Sequence, residues 1–234
     1  MTGTGALKIY GSGSSSGGIY SKIRVMGEGR ISGDTECFIA KTFGSSVFDQ
    51  DIQADEFTVY GTSIVRGKLL AKQIKIYGDA DFNDSDAEEL NVWGNLDIFG
   101  THTGEKVNTK GNLTIKGNCE VDQFLSKGMF TVLGLLSADV IDIGLKFGIS
   151  KVQEMGGERI NVRKDISLFS HKRNPLLVAD TIEGDDIFLE NTKAKIVRGN
   201  HVHIGQGCEI DSVEYFQTYK VSRGANVQSS HKYE

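Results

Sequence analysis

The sequence predicts an all-β chain, a three-sided parallel β-helix with about 17 residues per coil. Three observations predict it. Gly27, Gly44, Gly61, Gly78, Gly94, Gly111 and Gly128 recur every 17 residues, once every 16, and Gly11 precedes Gly27 by 16. Apolar residues keep to the same ruler in pairs spaced by two, the period of a strand and not of a helix. A fixed repeat of this length is the signature of a solenoid whose core forms only when neighbouring repeats stack.

Counting each coil from its first glycine, positions 3 and 5 hold Ser46 and Phe48, Ser63 and Val65, Ala80 and Phe82, Leu96 and Ile98, Leu113 and Ile115, then Phe130 and Val132. Position 9 holds Ile52, Leu69, His102 and Cys119, and position 11 holds Ala54, Ala71, Gly104 and Val121. Positions 14 and 16 hold Phe57 and Val59, Ile74 and Ile76, Leu90 and Val92, Val107 and Thr109, Phe124 and Ser126. Three inward pairs per coil mean three short strands, joined by Gly, Asp, Asn and Lys turns. A second glycine column, Gly33, Gly67, Gly100, Gly117 and Gly134, lies six residues after the first, with Gln50 and Asp84 in its gaps.

Towards the C-terminus the spacing loosens but pairs persist: Phe147 and Ile149, Ile166 and Leu168, Ile187 and Leu189, Val202 and Ile204, Val213 and Tyr215, Tyr219 and Val221. Irregular inserts are expected around Gln153 to Glu158 and His171 to Leu176, so a break near 150–180 is expected inside a β-helix of residues 19–222. About a dozen coils stacked about 4.8 Å apart predict a rod on the order of 55 Å long. Residues 1–18, rich in Gly, Ser and Thr, are expected as a flexible tail with one apolar patch, Ala6 to Tyr10, and residues 223–234 as a second tail.

The coil "GTSIVRGKLLAKQIKIY" followed by "GDADFNDSDAEELNVW", and the phrase Gly67-Lys-Leu69-Leu-Ala71-Lys-Gln-Ile74-Lys-Ile76, resemble bactofilins, bacterial polymer-forming cytoskeletal proteins. The resemblance covers roughly residues 20–222, most clearly 27–135, and "TIEGDDIFLENTKAKIVRGNHVHIGQGCEID" looks like the ending of longer, Firmicute-type members. It implies a right-handed β-helix that polymerises end to end without nucleotide, and a scaffold for cell-envelope, shape or motility machinery. The chain departs from typical members in its length, in having a single proline, Pro175, and in offering only Ala6 to Tyr10 where many carry an N-terminal membrane-targeting motif.

Composition narrows the function further. A net charge of −5 argues against a phosphate-backbone partner, so no nucleic acid is expected. Cys37, Cys119 and Cys208 form no CxxC pair, which excludes a zinc ribbon or disulfide framework and fits a reducing cytoplasm. No P-loop, Gly-x-Ser-x-Gly or His-Glu-x-x-His motif occurs, so no cofactor, no metal and no enzymatic activity are expected. The acidic coil 78–93 lacks the spacing of a calcium loop, and Lys72 and Glu88 are expected to pair across the stack beside it.

An exposed solenoid end offers unpaired backbone groups and an open core to a further copy. The candidate polymer contacts are Ile19, Ile23 and Val25 at one end, and Tyr215, Phe216, Tyr219 and Val221 at the other. Those aromatics read either as an interface or as a cap on the last coil. Phe43, Tyr60, Tyr77 and Trp93, each just before a corner glycine, point outward and read as a lateral or partner surface, or as a stabilising ladder. Two alternatives come from other function classes. "VHIGQGCEI" is similar to the hexapeptide repeat of acyltransferases, with His201 or His203 as base, although a strict six-residue period is missing. A carbohydrate-binding module would use the aromatic ladder. His102, at an inward position, is expected as a satisfied core histidine. The expected partners are further copies of the chain and membrane-associated envelope or motility proteins, and the expected place is the cytoplasm, at the inner face of the membrane.

Overall fold

The computed structural model describes residues 5–146, 148–165 and 175–233. The chain divides into two compact units, Met1–Gly117 and Asn118–Glu234. Every regular element among the described residues is a strand, and within each unit the strands pair in parallel. Both units are therefore parallel β-solenoids, as the repeat predicts.

Unit 1 is built from β1 (Ala6–Ile9), β2 (Ser12–Ser15), β3 (Gly18–Val25), β4 (Glu28–Ile31), β5 (Thr35–Thr42), β6 (Ser45–Phe48), β7 (Ile52–Val59), β8 (Thr62–Ile76), β9 (Asp79–Val92), β10 (Asn95–Ile98), β11 (His102–Thr109) and β12 (Asn112–Ile115). A coil contributes three ladder segments, for example residues 35–37, 39–42 and 45–48. Registers repeat the ruler read from the sequence: Phe57 pairs with Ile74, which pairs with Leu90, which pairs with Val107. These inward residues are buried, and Phe48, Phe57 and Phe82 meet edge to face with ring centroids 5.8 Å apart. Polar residues at inward positions satisfy one another: Thr42 Oγ1 lies 2.9 Å from Ser46 Oγ, which lies 2.9 Å from Ser63 Oγ.

Corners explain the glycine columns. A Cβ on Gly44, Gly61, Gly78, Gly94 or Gly111 would run into the carbonyl oxygen of the column glycine one coil earlier. The column is held by this close approach of backbones and not by a left-handed φ, since none of these glycines has one. At the other corner the ladder skips between Val65 and Lys68. Side chains supply the missing acceptors: Asp51 Oδ1 accepts the Lys68 N–H at 2.7 Å, and Asp84 Oδ1 accepts the Thr101 N–H at 2.8 Å.

Unit 2 comprises β13 (Cys119–Ser126), β14 (Met129–Leu145), β15 (Ile149–Lys164), β16 (Leu176–Leu189), β17 (Thr192–Ile204), β18 (Glu209–Val221) and β19 (Asn226–Lys232). One inward column runs Phe124, Ile141, Ile160, Ile187, Val202, Tyr219, through successive register partners. Asn118 Oδ1 accepts the Leu135 N–H at 3.0 Å, repeating the corner device of unit 1.

Several expectations are corrected. Residues 6–9 and 12–15 are strands stacked on β3 and β4, not a flexible tail, and residues 226–232 form β19 on β18. Backbone pairing holds these segments, and it needs little apolar side-chain content. Residues 153–158 are no insert but lie within β15. Ile149 is exposed; Ser150 and Val152 take the inward places, and Ser150 Oγ accepts the Phe130 N–H at 3.3 Å. Val221 is exposed and Tyr215 and Tyr219 half-buried, because β19 pairs only with residues 209–215 of β18. Phe147, Ile166, Leu168 and residues 171–174 of the second expected insert lie outside the described residues. Lys72 pairs with Asp55 at 2.8 Å, one coil back, with Glu88 a weaker influence on its charge.

Candidate functional site

The free end of unit 1 differs from the expected one. Ile23 and Val25 are buried beneath β1, where Leu7 pairs with Ile23 and Ile9 with Val25; only Ile19 of the expected contact residues is exposed. The end layer is instead β1 and β2, whose inward positions carry Leu7, Ile9, Gly13 and Ser15. Tyr20 closes its corner, donating its hydroxyl hydrogen to the Gly17 carbonyl at 3.0 Å.

The free end of unit 2 carries a cluster of aromatic rings. Tyr215 stacks on Tyr219 at 5.1 Å, and Phe216 stacks on Tyr233 at 5.6 Å. Phe216, Val221 and Tyr233 are exposed. Burial raises the Tyr219 phenol above its ordinary value, against a hydrogen bond from Ser230 that lowers it. Among the described residues no helix covers either end, and no helix is long and apolar enough to cross a membrane.

Phe43, Tyr60, Tyr77 and Trp93 form a continuous stack on one corner of unit 1. Ring centroids are 4.9, 5.0 and 4.6 Å apart with interplanar angles of 12°, 5° and 3°. Each ring is 39–46 % exposed, so alternation placed all of them correctly on the surface. Met26 and Tyr10, just before Gly27 and Gly11, extend the same exposed column. Stacking consumes the ring faces: each inner ring lies between two others, and Arg24 covers the outer face of Phe43 at 4.8 Å. A sugar stacks on an open aromatic face, and apart from the far side of Trp93 this ladder presents ring edges.

His201 and His203 point outward from β17 into a shallow groove of about 490 Å³ on one face of unit 2, with Arg159, Arg163, Phe188 and Lys220. His201 Nδ1 lies 2.9 Å from Thr218 Oγ1, and His203 Nε2 lies 3.1 Å from Ser222 Oγ with its ring edge-on to Phe188 at 4.9 Å. Cys208 stands apart from both, buried, its Sγ 3.2 Å from the Leu189 carbonyl oxygen. Among the described residues no group of three His, Cys, Asp or Glu side chains is placed to hold a metal ion.

The remaining chemistry-bearing side chains are enclosed. Burial pushes the thiols of Cys37 and Cys119 up to about 12 and that of Cys208 to about 11, so none is a thiolate at neutral pH. His102 is fully buried, its Nδ1 2.9 Å from Ser85 Oγ and its Nε2 without a partner. Desolvation drives it down to about 4, against the nearby Asp86. In the acidic coil, burial first and then Asp97 and Asp79 raise the Asp81 carboxyl, with Lys116 opposing.

No family model matches the chain, and no solved structure matches it. Two Bacillus subtilis (strain 168) proteins do. The uncharacterized protein YhbE is 45 % identical over 102 residues, which cover 42 % of this chain and 43 % of its own. The uncharacterized protein YhbF is 42 % identical over 215 residues, which cover 92 % of this chain and 91 % of its own. With that identity sustained across nearly the whole of both chains, the protein belongs to the YhbF family.

Proposed function

We propose that the protein is a self-assembling scaffold whose copies join end to end, without nucleotide or metal, into filaments that support envelope, shape or motility machinery. The observation that carries this reading is the free end of unit 2. There an unpaired strand edge coincides with exposed Phe216, Val221 and Tyr233 and half-buried Tyr215 and Tyr219. An edge of that kind templates pairing with another chain, and apolar side chains beside it add area to the contact. The bactofilin resemblance supports the same reading. In it the protein is not an enzyme, its first partner is itself, and it works in the cytoplasm, at the inner face of the membrane beside envelope or motility proteins. The aromatic ladder stabilises the solenoid.

Replacing Tyr215, Phe216 and Tyr219 together by Glu tests the reading. The variant is expected to stay in the supernatant at speeds that pellet the unaltered protein, with an unchanged far-ultraviolet circular dichroism spectrum. A variant that pellets as before would remove this end from the account.

A further inference from the structure

The chain is acidic overall, with a net charge of −5, yet the shallow groove on unit 2 gathers cations. Two outward columns of β15 to β18 make its floor. In one, Arg159, Asp186 and His201 follow each other in successive coils. In the other, Asn161, Phe188, His203 and Lys220 do so. Elsewhere in unit 2 cations pair across the coils: Lys193 with Glu209 at 2.6 Å, Lys195 with Asp180 at 2.8 Å, and Arg198 with Glu183 at 3.0 Å and Glu214 at 2.6 Å. Among the described residues Arg159, Arg163 and Lys220 of the groove make no such pair.

The groove is also organised in advance. Arg163 Nε donates to Asn161 Oδ1 at 2.9 Å, and its guanidinium lies over the Phe188 ring at 5.6 Å. Asn161 Nδ2 in turn donates to Asp142 Oδ1 at 2.7 Å. These contacts use Nε and one face of the guanidinium and leave its outer amino groups, the fork that a carboxylate accepts. His201 and His203 are each anchored through one ring nitrogen, with no partner at the other among the described residues. Side chains already held in place lose less entropy when a ligand arrives.

Spacing selects the ligand. Arg159 and Arg163 lie four residues apart on one strand, about 13 Å, and Lys220 lies three coils beyond Asn161, about 14 Å. Asp186 stands between Arg159 and His201 and repels an anion there. A continuous run of phosphates would carry charge past Asp186. An extended peptide can set its carboxylates at the separated cations and lay an apolar side chain against Phe188. A shallow groove suits such a segment, whereas small molecules favour enclosed pockets.

We propose that this groove docks an extended acidic peptide segment of a client protein, its carboxylates meeting Arg159 and Arg163 on one side and Lys220 on the other. The proposal gives the scaffold reading a client site, and rests on that reading for its use but not for its chemistry.

Short peptides randomised at every position are panned on the purified full-length protein. Those recovered are measured by fluorescence polarisation against the unaltered protein, an Arg159→Gln/Lys220→Gln variant, and a Lys193→Gln/Lys195→Gln variant that removes equal charge from another face. All four residues are exposed, so neither variant disturbs the core. Recovered peptides rich in Asp and Glu, whose Kd rises at least about tenfold for the groove variant and little for the other, support the site. No recovered peptide, no acidic enrichment, or equal loss in both variants overturns it, as does an oligothymidylate that binds the groove as tightly as the peptides. The same samples are imaged for filaments. Filaments without acidic-peptide binding overturn the site and leave assembly standing; groove binding without filaments supports the site and overturns assembly.

Discussion

At the scale of single residues, buried His102 has a measurable consequence on the acid side of neutral pH. His102 is neutral in its site because no water reaches it. Its folded value is depressed to about 4 from 6.5. As pH falls below 6.5 the unfolded chain takes up a proton that the folded chain refuses. The stability is complete above pH 6.5 and is lost progressively as pH falls to about 4. The full difference is about 3 kcal/mol by proton linkage. The melting temperature should therefore fall through this window, and a His102→Leu variant should show a flatter profile there. Carboxylates held low by their partners, Asp49 by Arg30 and Glu56 by Lys41, add losses of the same sign at lower pH. An unchanged slope in His102→Leu would contradict the buried, neutral assignment. The corner glycines make an equally local prediction. Gly78→Ala drives a methyl into the backbone of the previous coil and should cost about 2 kcal/mol or more, whereas Gly156→Ala, with open space around it, should stay within about 0.5 kcal/mol. Denaturant melts of the two variants separate these outcomes.

At the scale of elements, the ladder is a mechanical part of unit 1. Tyr60 stacks on Phe43 and Tyr77 and so takes part in two of the ring pairs. Aromatic pairs contribute about 0.5–1.5 kcal/mol beyond their area, so Tyr60→Ala should destabilise the protein by about 1–3 kcal/mol. A chemical denaturation midpoint that does not move would mean that the rings are stacked without being coupled to folding. The strands themselves were legible where apolar pairs mark them, as at Phe57 and Val59, because one buried face imposes a period of two. β2 and β19 were illegible for the opposite reason. Gly13, Ser15 and the Ser229–Ser230 pair carry no apolar signal, yet their backbones complete the outermost layers. Misreading residues 1–18 as a tail shifted the expected contact surface inward, to Ile23 and Val25, which the extra layer buries. Ile149 failed differently: a spacing of two is shared by both faces of a strand, and only the register shows which face is inward. Val221 keeps the inward column of Ile204 and is exposed because no described strand lies over it.

At the scale of the whole molecule, the account turns on ends. A solenoid cannot cover its own outermost layers, so it is capped or continued. The candidate site was half legible in the sequence: the aromatics near residue 215 and the ladder from Phe43 to Trp93 were visible as composition, while the layer that buries Ile23 and Val25 in unit 1 and the uncovered Tyr219 and Val221 in unit 2 exist only in the register. The central claim is spontaneous assembly, and negative-stain electron microscopy of the purified protein, with no nucleotide and no metal added, tests it most directly. The account predicts filaments a few nanometres wide; a uniform field of monomers or of discrete closed trimers would contradict it.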